Sequence, residues 1–132
     1  MTEPAEYVSW RKLREFADVD LTRSYVLSWY VEGDTLMIDV DLYLEVDHPF
    51  YEKPRPAEKA CIRPATIEFP YCASIESSIP GAASDLADVV ERLGLGAIEG
   101  LRRFNDGPFE IRGEFGKVRV DAERPILRLQ SA

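Results

Sequence analysis

Between Glu32 and Glu52 the chain carries seven carboxylates (Glu32, Asp34, Asp39, Asp41, Glu45, Asp47 and Glu52) and neither a lysine nor an arginine. The only histidine of the sequence, His48, stands in the same stretch. These groups suit ligands for a divalent cation, fixed negative charge for a basic partner, or the solvated outer face of an ordinary strand. The spacing discriminates among them. Asp39, Asp41, Tyr43, Glu45 and Asp47 alternate with Ile38, Val40, Leu42, Leu44 and Val46, so in a regular strand all five polar side chains share one face. A straight strand does not wrap ligands around an ion, and the sequence has neither an EF-hand loop nor HExxH. Asp39, Asp41, Asp47 and His48 would serve a metal-dependent hydrolase only if other strands completed the set.

Phe50 and Tyr51 follow, beside Lys53 and Arg55, in a segment broken by Pro49, Pro54 and Pro56. The prolines exclude regular structure over residues 48–59 and make it a loop. Its aromatic residues either pin the loop to the body of the protein or contact a partner, since Tyr and Arg are favoured at interfaces. Asp39, Asp41, Tyr43, Glu45, Asp47, His48, Phe50 and Tyr51 are therefore the candidate binding residues. No nucleophile elbow, phosphate-binding glycine loop or cofactor fingerprint occurs, so no catalytic residue and no cofactor is expected.

Composition narrows the partners. The chain has 16 basic and 24 acidic residues and a net charge of −8, which argues against binding nucleic acid through its phosphates. No apolar run approaches the ~20 residues of a membrane span, and the N-terminus lacks the basic and apolar regions of a secretion signal. A cytoplasmic protein with no membrane partner is expected. Cys61 and Cys72 match no zinc spacing, and in a reducing compartment they read as buried thiols. At 132 residues the chain is expected to form a single domain, residues 1–132.

The elements that must position these residues are mainly β. Strict alternation over residues 21–31 and 35–46, joined by "EGDT", predicts a hairpin with Gly33 and Asp34 at the turn. In that register Val31 faces Leu36, Trp29 faces Ile38, Leu27 faces Val40 and Tyr25 faces Leu42, with Ser28 opposite Asp39 on the outer face. Arg23 falls on the apolar face, where it must snorkel out or anchor an anion. Strands are expected again near residues 61–69 and 71–76, with Pro64 and Pro70 marking an edge or bulges. Further strands are expected near 97–104, 109–115, 118–121 and 126–129, with a tight turn at Gly116–Lys117. "SDLADVVERLG" predicts a helix over residues 84–93, capped by Ser84 and ended by Gly94. A short helix is predicted over residues 5–17. The sum is an α+β but mainly β protein: an antiparallel sandwich or open barrel of about eight strands.

Function follows as a choice among three classes. The first is a non-catalytic protein-binding domain that presents the acidic strand face to a basic partner. The second is a small-molecule-binding barrel or enzyme with an interior pocket of Tyr25, Trp29, His48 and Arg23. The third is the metal-dependent hydrolase.

Overall fold

A computed structural model describes residues 7–53, 56, 60–77, 86–105 and 107–129, the side chains of Ala87 and Asp88 excepted. The hairpin forms where the alternation places it. β2 (Val19–Glu32) turns through Gly33, at φ +60°, into β3 (Thr35–Leu44). Glu32 pairs with Thr35, Val31 with Leu36, Trp29 with Ile38 and Ser28 with Asp39.

Beyond Ser28 the register departs from the sequence expectation. Val26 pairs with Val40 and Tyr25 with Asp41, so Leu27 is an extra residue, and a second irregularity lies between Asp20 and Tyr25. An inserted residue exchanges the two faces of everything beyond it. Leu21 and Trp29 are buried as the alternation requires, but Tyr25 and Leu27 are exposed while Ser24 and Val26 are buried. Arg23 likewise leaves the core face. Ser24 makes this tolerable. Its hydroxyl donates to the Asp20 carbonyl at 2.9 Å and accepts from the Tyr43 N–H at 3.0 Å, occupying backbone groups that the broken ladder leaves without strand partners.

The remaining strands are β1 (Tyr7–Ser9), β4 (Ile62–Phe69), β5 (Ser74–Ser77), β6 (Gly96–Phe104), β7 (Phe109–Gly113), β8 (Gly116–Asp121) and β9 (Ile126–Leu129). They form one antiparallel open sheet in the order β5-β8-β7-β6-β2-β3-β4-β9, with β1 beside β6. In a flat sheet β4 and β7, four steps apart, would be separated by about 19 Å. Yet the rings of Phe69 on β4 and Phe109 on β7 lie 5.3 Å apart. The sheet therefore curls over its own core, which holds Leu21, Trp29, Leu36, Ile38, Val40, Leu42, Ile67, Phe69, Ile98, Phe109, Ile111, Val118 and Val120. β4 is an interior strand, paired with β3 over residues 62–69 and with β9 only over residues 65–68. Pro64 sits just past the end of the β9 ladder, where a missing N–H costs no sheet bond on that side.

Three further readings change. The expected N-terminal helix is β1 followed by 3-10 turns at Trp10–Lys12 and Arg14–Phe16. Trp10, Leu13 and Phe16 are the buried residues, and a spacing of three fits the 3-10 repeat rather than 3.6. The β7–β8 turn is Glu114–Phe115, with Gly113 opposite Gly116 and Glu110 opposite Arg119. Phe115 is spent on the core, edge-on to Trp29 at 5.3 Å, rather than on the ladder. Gly113 permits this, since a Cβ there would lie 2.2 Å from the Ala97 carbonyl oxygen. Finally β3 stops at Leu44, two residues before the expected end.

The helix α1 (Leu86–Arg92) forms within the expected span, while its proposed cap Ser84 and Asp85 lie outside the described residues. Val90 and Leu93 are buried, and α1 packs on β2 and β5. Trp29 closes the helix end by donating its indole N–H to the Gly94 carbonyl at 2.7 Å. Cys61 and Cys72 are free and buried. They lie at opposite ends of β3, Cys61 beside Leu44 and Cys72 beside Asp34, a separation of about 30 Å along the strand. Among the described residues no helix is long and apolar enough to cross a membrane.

Candidate binding cleft

The acidic stretch divides into two parts. Asp39 lies in the middle of the sheet and is engaged there. Its Oδ2 accepts from the Ser28 hydroxyl at 2.9 Å and its Oδ1 from the Thr66 hydroxyl at 3.0 Å. The Tyr30 phenol is pushed above its usual range, first by burial and then by the charges of Asp39, Glu32 and Glu68 and a hydrogen bond to Asp39. The hydroxyls of the neighbouring strands thus solvate Asp39. Asp41 stands two residues on along the same face, between Tyr25 on β2 and Pro64 on β4, and forms no ion pair among the described residues. Three arginines of other strands are committed elsewhere: Arg128 to Glu68, Arg102 to Glu110 and Arg63 to Glu52.

The second part begins where β3 ends. The Leu44 N–H bonds the Cys61 carbonyl and the Glu45 N–H bonds the Asp18 carbonyl, both at 2.9 Å. The backbone then turns, with His48 N–H to Glu45 carbonyl at 3.0 Å and Tyr51 N–H to His48 carbonyl at 2.9 Å. These bonds take Glu45 and Asp47 off the sheet face and set them on the wall of a cleft of about 480 Å³. Tyr43, Tyr51, Arg23, Asp20 and the Cys61 region complete it. Asp20 reaches the cleft because the irregularity in β2 places it opposite Tyr43. Its carboxylate is already used, by the N–H and hydroxyl of Thr22 and by the Arg23 guanidinium at 3.5 Å. Arg23 also lies over the Tyr43 ring at 5.2 Å and reaches its hydroxyl at 3.3 Å. Glu45 and Asp47 are exposed and form no ion pair among the described residues.

Four of the eight candidate residues, Tyr43, Glu45, Asp47 and Tyr51, thus meet in one cleft. His48 and Phe50 sit on the turn beside it. The His48 Nδ1 accepts the Phe50 N–H at 3.0 Å and the two ring centres lie 5.9 Å apart, the planes tilted by 38°. Burial draws the His48 pKa below its usual 6.5, against an opposing pull from Asp18. The two aromatic residues split the roles foreseen for the loop. Tyr51 packs against the core and pins the loop, whereas Phe50 is 62% exposed. Sequence reading singles out Arg23 but misses Asp20, Val46, Ala60 and Cys61 as cleft residues, and no local pattern marks them.

Tyr25, Trp29, His48 and Arg23 do not meet in an interior pocket. Trp29 is buried against Phe115, Tyr25 is exposed, His48 is on the turn and Arg23 is in the cleft. Among the described residues no three His, Cys, Asp or Glu side chains converge in a group that could hold a metal. Cys61 faces the Glu52 N–H at 3.5 Å, and Cys72 is held at the other end of the sheet, its thiol raised by burial. Comparison with protein-family models, with curated proteins and with solved structures finds no match.

Proposed function

We propose that the chain is a non-catalytic, cytoplasmic binding domain whose acidic cleft takes a lysine or arginine side chain of a basic protein partner. The single observation that carries this reading is the behaviour of Arg23. The protein's own guanidinium rests in the cleft on the Tyr43 ring, with a carboxylate 3.5 Å away. An aromatic face flanked by carboxylates is the environment that stabilises a cation in water. Glu45 and Asp47 add two charges not used by any ion pair among the described residues, and Asp41 extends the negative field along β3. The exposed Phe50 and Val46 beside them supply the apolar contact an interface needs.

The test is a titration of the protein with a short peptide rich in lysine and arginine, followed by calorimetry and NMR. Paired replacement Glu45→Gln with Asp47→Asn removes two solvent-exposed attractions of ~0.2–1 kcal/mol each. Affinity should drop roughly twofold to thirtyfold, and the dependence on salt should flatten. An affinity unchanged by the pair would refute the reading, as would chemical-shift changes confined to residues away from Tyr43, Tyr51 and the 45–48 turn.

A further inference from the structure

A second cleft lies on the other side of the same segment of β2, and its charge is reversed. It has a volume of about 230 Å³ and is lined by Arg11, Arg102 and Arg112, with Trp10, Thr22 and Gly100 among its other walls. Glu99 is the one carboxylate on its lining. In a chain of net charge −8, three guanidinium groups on one small concave surface are not what dispersal of surface charge would produce.

Two of the three arginines are held. Arg102 donates through Nε and Nη2 to Glu110 at 3.0 and 2.9 Å, and its guanidinium lies 4.6 Å from the centre of the Tyr7 ring and 5.0 Å from that of Phe104. Arg11 lies 4.5 Å over the ring of Trp10, which is itself buried. A stacked guanidinium has lost much of its rotamer freedom before any ligand arrives, so less is lost on binding. Glu110 neutralises Arg102, but Arg11 and Arg112 form no ion pair among the described residues. Against Glu99 the cleft therefore keeps a net positive charge. A neutral donor fits the same use. The Trp10 indole Nε1 stands beside Gly100, 3.9 Å from where a Cβ would be, and the missing side chain leaves room at that wall.

We infer that this cleft binds a phosphate group, as the free ion or as the end of a small phosphate monoester, with Arg11 and Arg112 as its charged donors. Planar guanidinium forks match the oxygen spacing of phosphate, and charge-assisted bonds of this kind are the strong ones. The volume is below the roughly 300–1,000 Å³ of sites for drug-sized ligands, which suits one anionic group rather than an extended molecule. The site does not depend on the acidic cleft.

The two tryptophans give separate indole N–H signals in NMR, and only Trp10 lines this cleft, Trp29 being tied to Gly94. Titration of the full chain with inorganic phosphate and, separately, with phenyl phosphate should shift the Trp10 signal saturably at millimolar concentrations and leave the Trp29 signal still. Arg112→Gln should weaken binding about tenfold, the worth of one charge-assisted bond. Glu45→Gln with Asp47→Asn should leave it unchanged. Tighter binding of phenyl phosphate assigns the monoester and equal binding the free ion, and either supports the site. The inference is overturned if the Trp10 signal does not saturate, or if Arg112→Gln and Arg11→Gln both bind phosphate as the unaltered protein does. Both variants change partly or fully exposed side chains, so an unchanged NMR spectrum elsewhere shows that each is folded.

Discussion

Replacing Asp39 separates the acids that hold the sheet from those that are available to a partner. Asp39 accepts hydroxyl bonds from Ser28 at 2.9 Å and Thr66 at 3.0 Å, and the Tyr30 phenol also bonds to it. A hydrogen bond to a charged group contributes about 1.5–3 kcal/mol, and a buried hydroxyl left without its partner costs about 1–3 kcal/mol. Thr66 is 8% exposed, so water does not replace the lost acceptor, whereas Ser28 is half-buried and recovers part of its bond from solvent. Removing the carboxylate also relieves repulsion from Asp41 and Glu68, and leucine gains some apolar burial. Asp39→Leu should therefore lose about 2–3 kcal/mol. At roughly 3–5 °C per kcal/mol for a chain of this size, that is a fall of about 6–15 °C in Tm. Asp39→Asn should cost about 1 kcal/mol or less, because the amide still accepts one bond and donates the other to a hydroxyl free to rotate. Asp41→Asn should stay within about 0.5 kcal/mol of the original, or stabilise by easing repulsion. Thermal and urea melts of the three variants measure the series. The reasoning fails if Asp39→Leu melts with the unaltered protein, or if Asp41→Asn costs as much as Asp39→Leu.

The other expectations are more direct. Trp29→Ala removes a buried ring, its contact with Phe115 and the bond to Gly94, and should cost about 3–5 kcal/mol by urea melts; a loss below about 1 kcal/mol would contradict its place in the core. The folded-state pKa of His48 lies below 6.5, so the unfolded chain takes up its proton first as pH falls. The stability His48 contributes is present above 6.5 and is lost as pH drops from there through the folded pKa; melts against pH should show that slope, and His48→Gln should remove it. Arg23→Ala empties the Tyr43 ring face and removes a competing cation, so a basic peptide should bind roughly fivefold more tightly for the ~1 kcal/mol of a partly exposed cation–π contact; equal or weaker binding would mean that Arg23 is part of the site. Glu15 and Arg124 form a two-pronged pair with bonds of 2.7–3.0 Å. Burial raises the Glu15 pKa but the Arg124 bonds and charge bring it below 4.5, so this stability is present above 4.5 and fades as pH falls through the folded pKa, a loss that Glu15→Gln should abolish.

The parts of the fold legible in the sequence are those where one local rule operates without competition. Alternation and a glycine at the turn determine the hairpin from Ser28–Asp39 to Glu32–Thr35, and nothing in the core disturbs it. The helix over Leu86–Arg92 follows from an apolar stripe of the right period. Elsewhere a tertiary demand displaces the local one. Phe115 alternates properly for a strand, but the sheet needs its ring against Trp29, so the turn moves to include it. Trp10, Leu13 and Phe16 recur at the spacing of three that suits 3-10 turns, but only the core they fill singles them out from the other apolar residues of the segment. Tyr51 rather than Phe50 pins the loop, although both are aromatic, because the choice depends on where the turn after Glu45 aims each ring.

The candidate cleft was half legible for a related reason. The alternation correctly places Tyr43 with Asp39 and Asp41 on the outward face of β3, but it assumes that the strand continues and that β2 is regular. Neither holds at this end of the hairpin. β3 stops at Leu44 and hands Glu45 and Asp47 to a turn, while the irregular stretch of β2 brings Asp20 and Arg23 across to meet them. The same stretch presents Thr22 to the arginine-lined cleft. A regular strand would have sent Arg23 toward the core and left Asp20 out of register with Tyr43. Bulges recur beside functional sites because they re-aim side chains that a perfect ladder would bury or pair. The bulged segment is also held in its irregular form by Ser24, a fully buried polar residue bonded to both Asp20 and Tyr43. A polar residue spent in this way maintains a shape that packing alone would regularise. The place where periodicity misreads the chain is thus the place where both clefts are built.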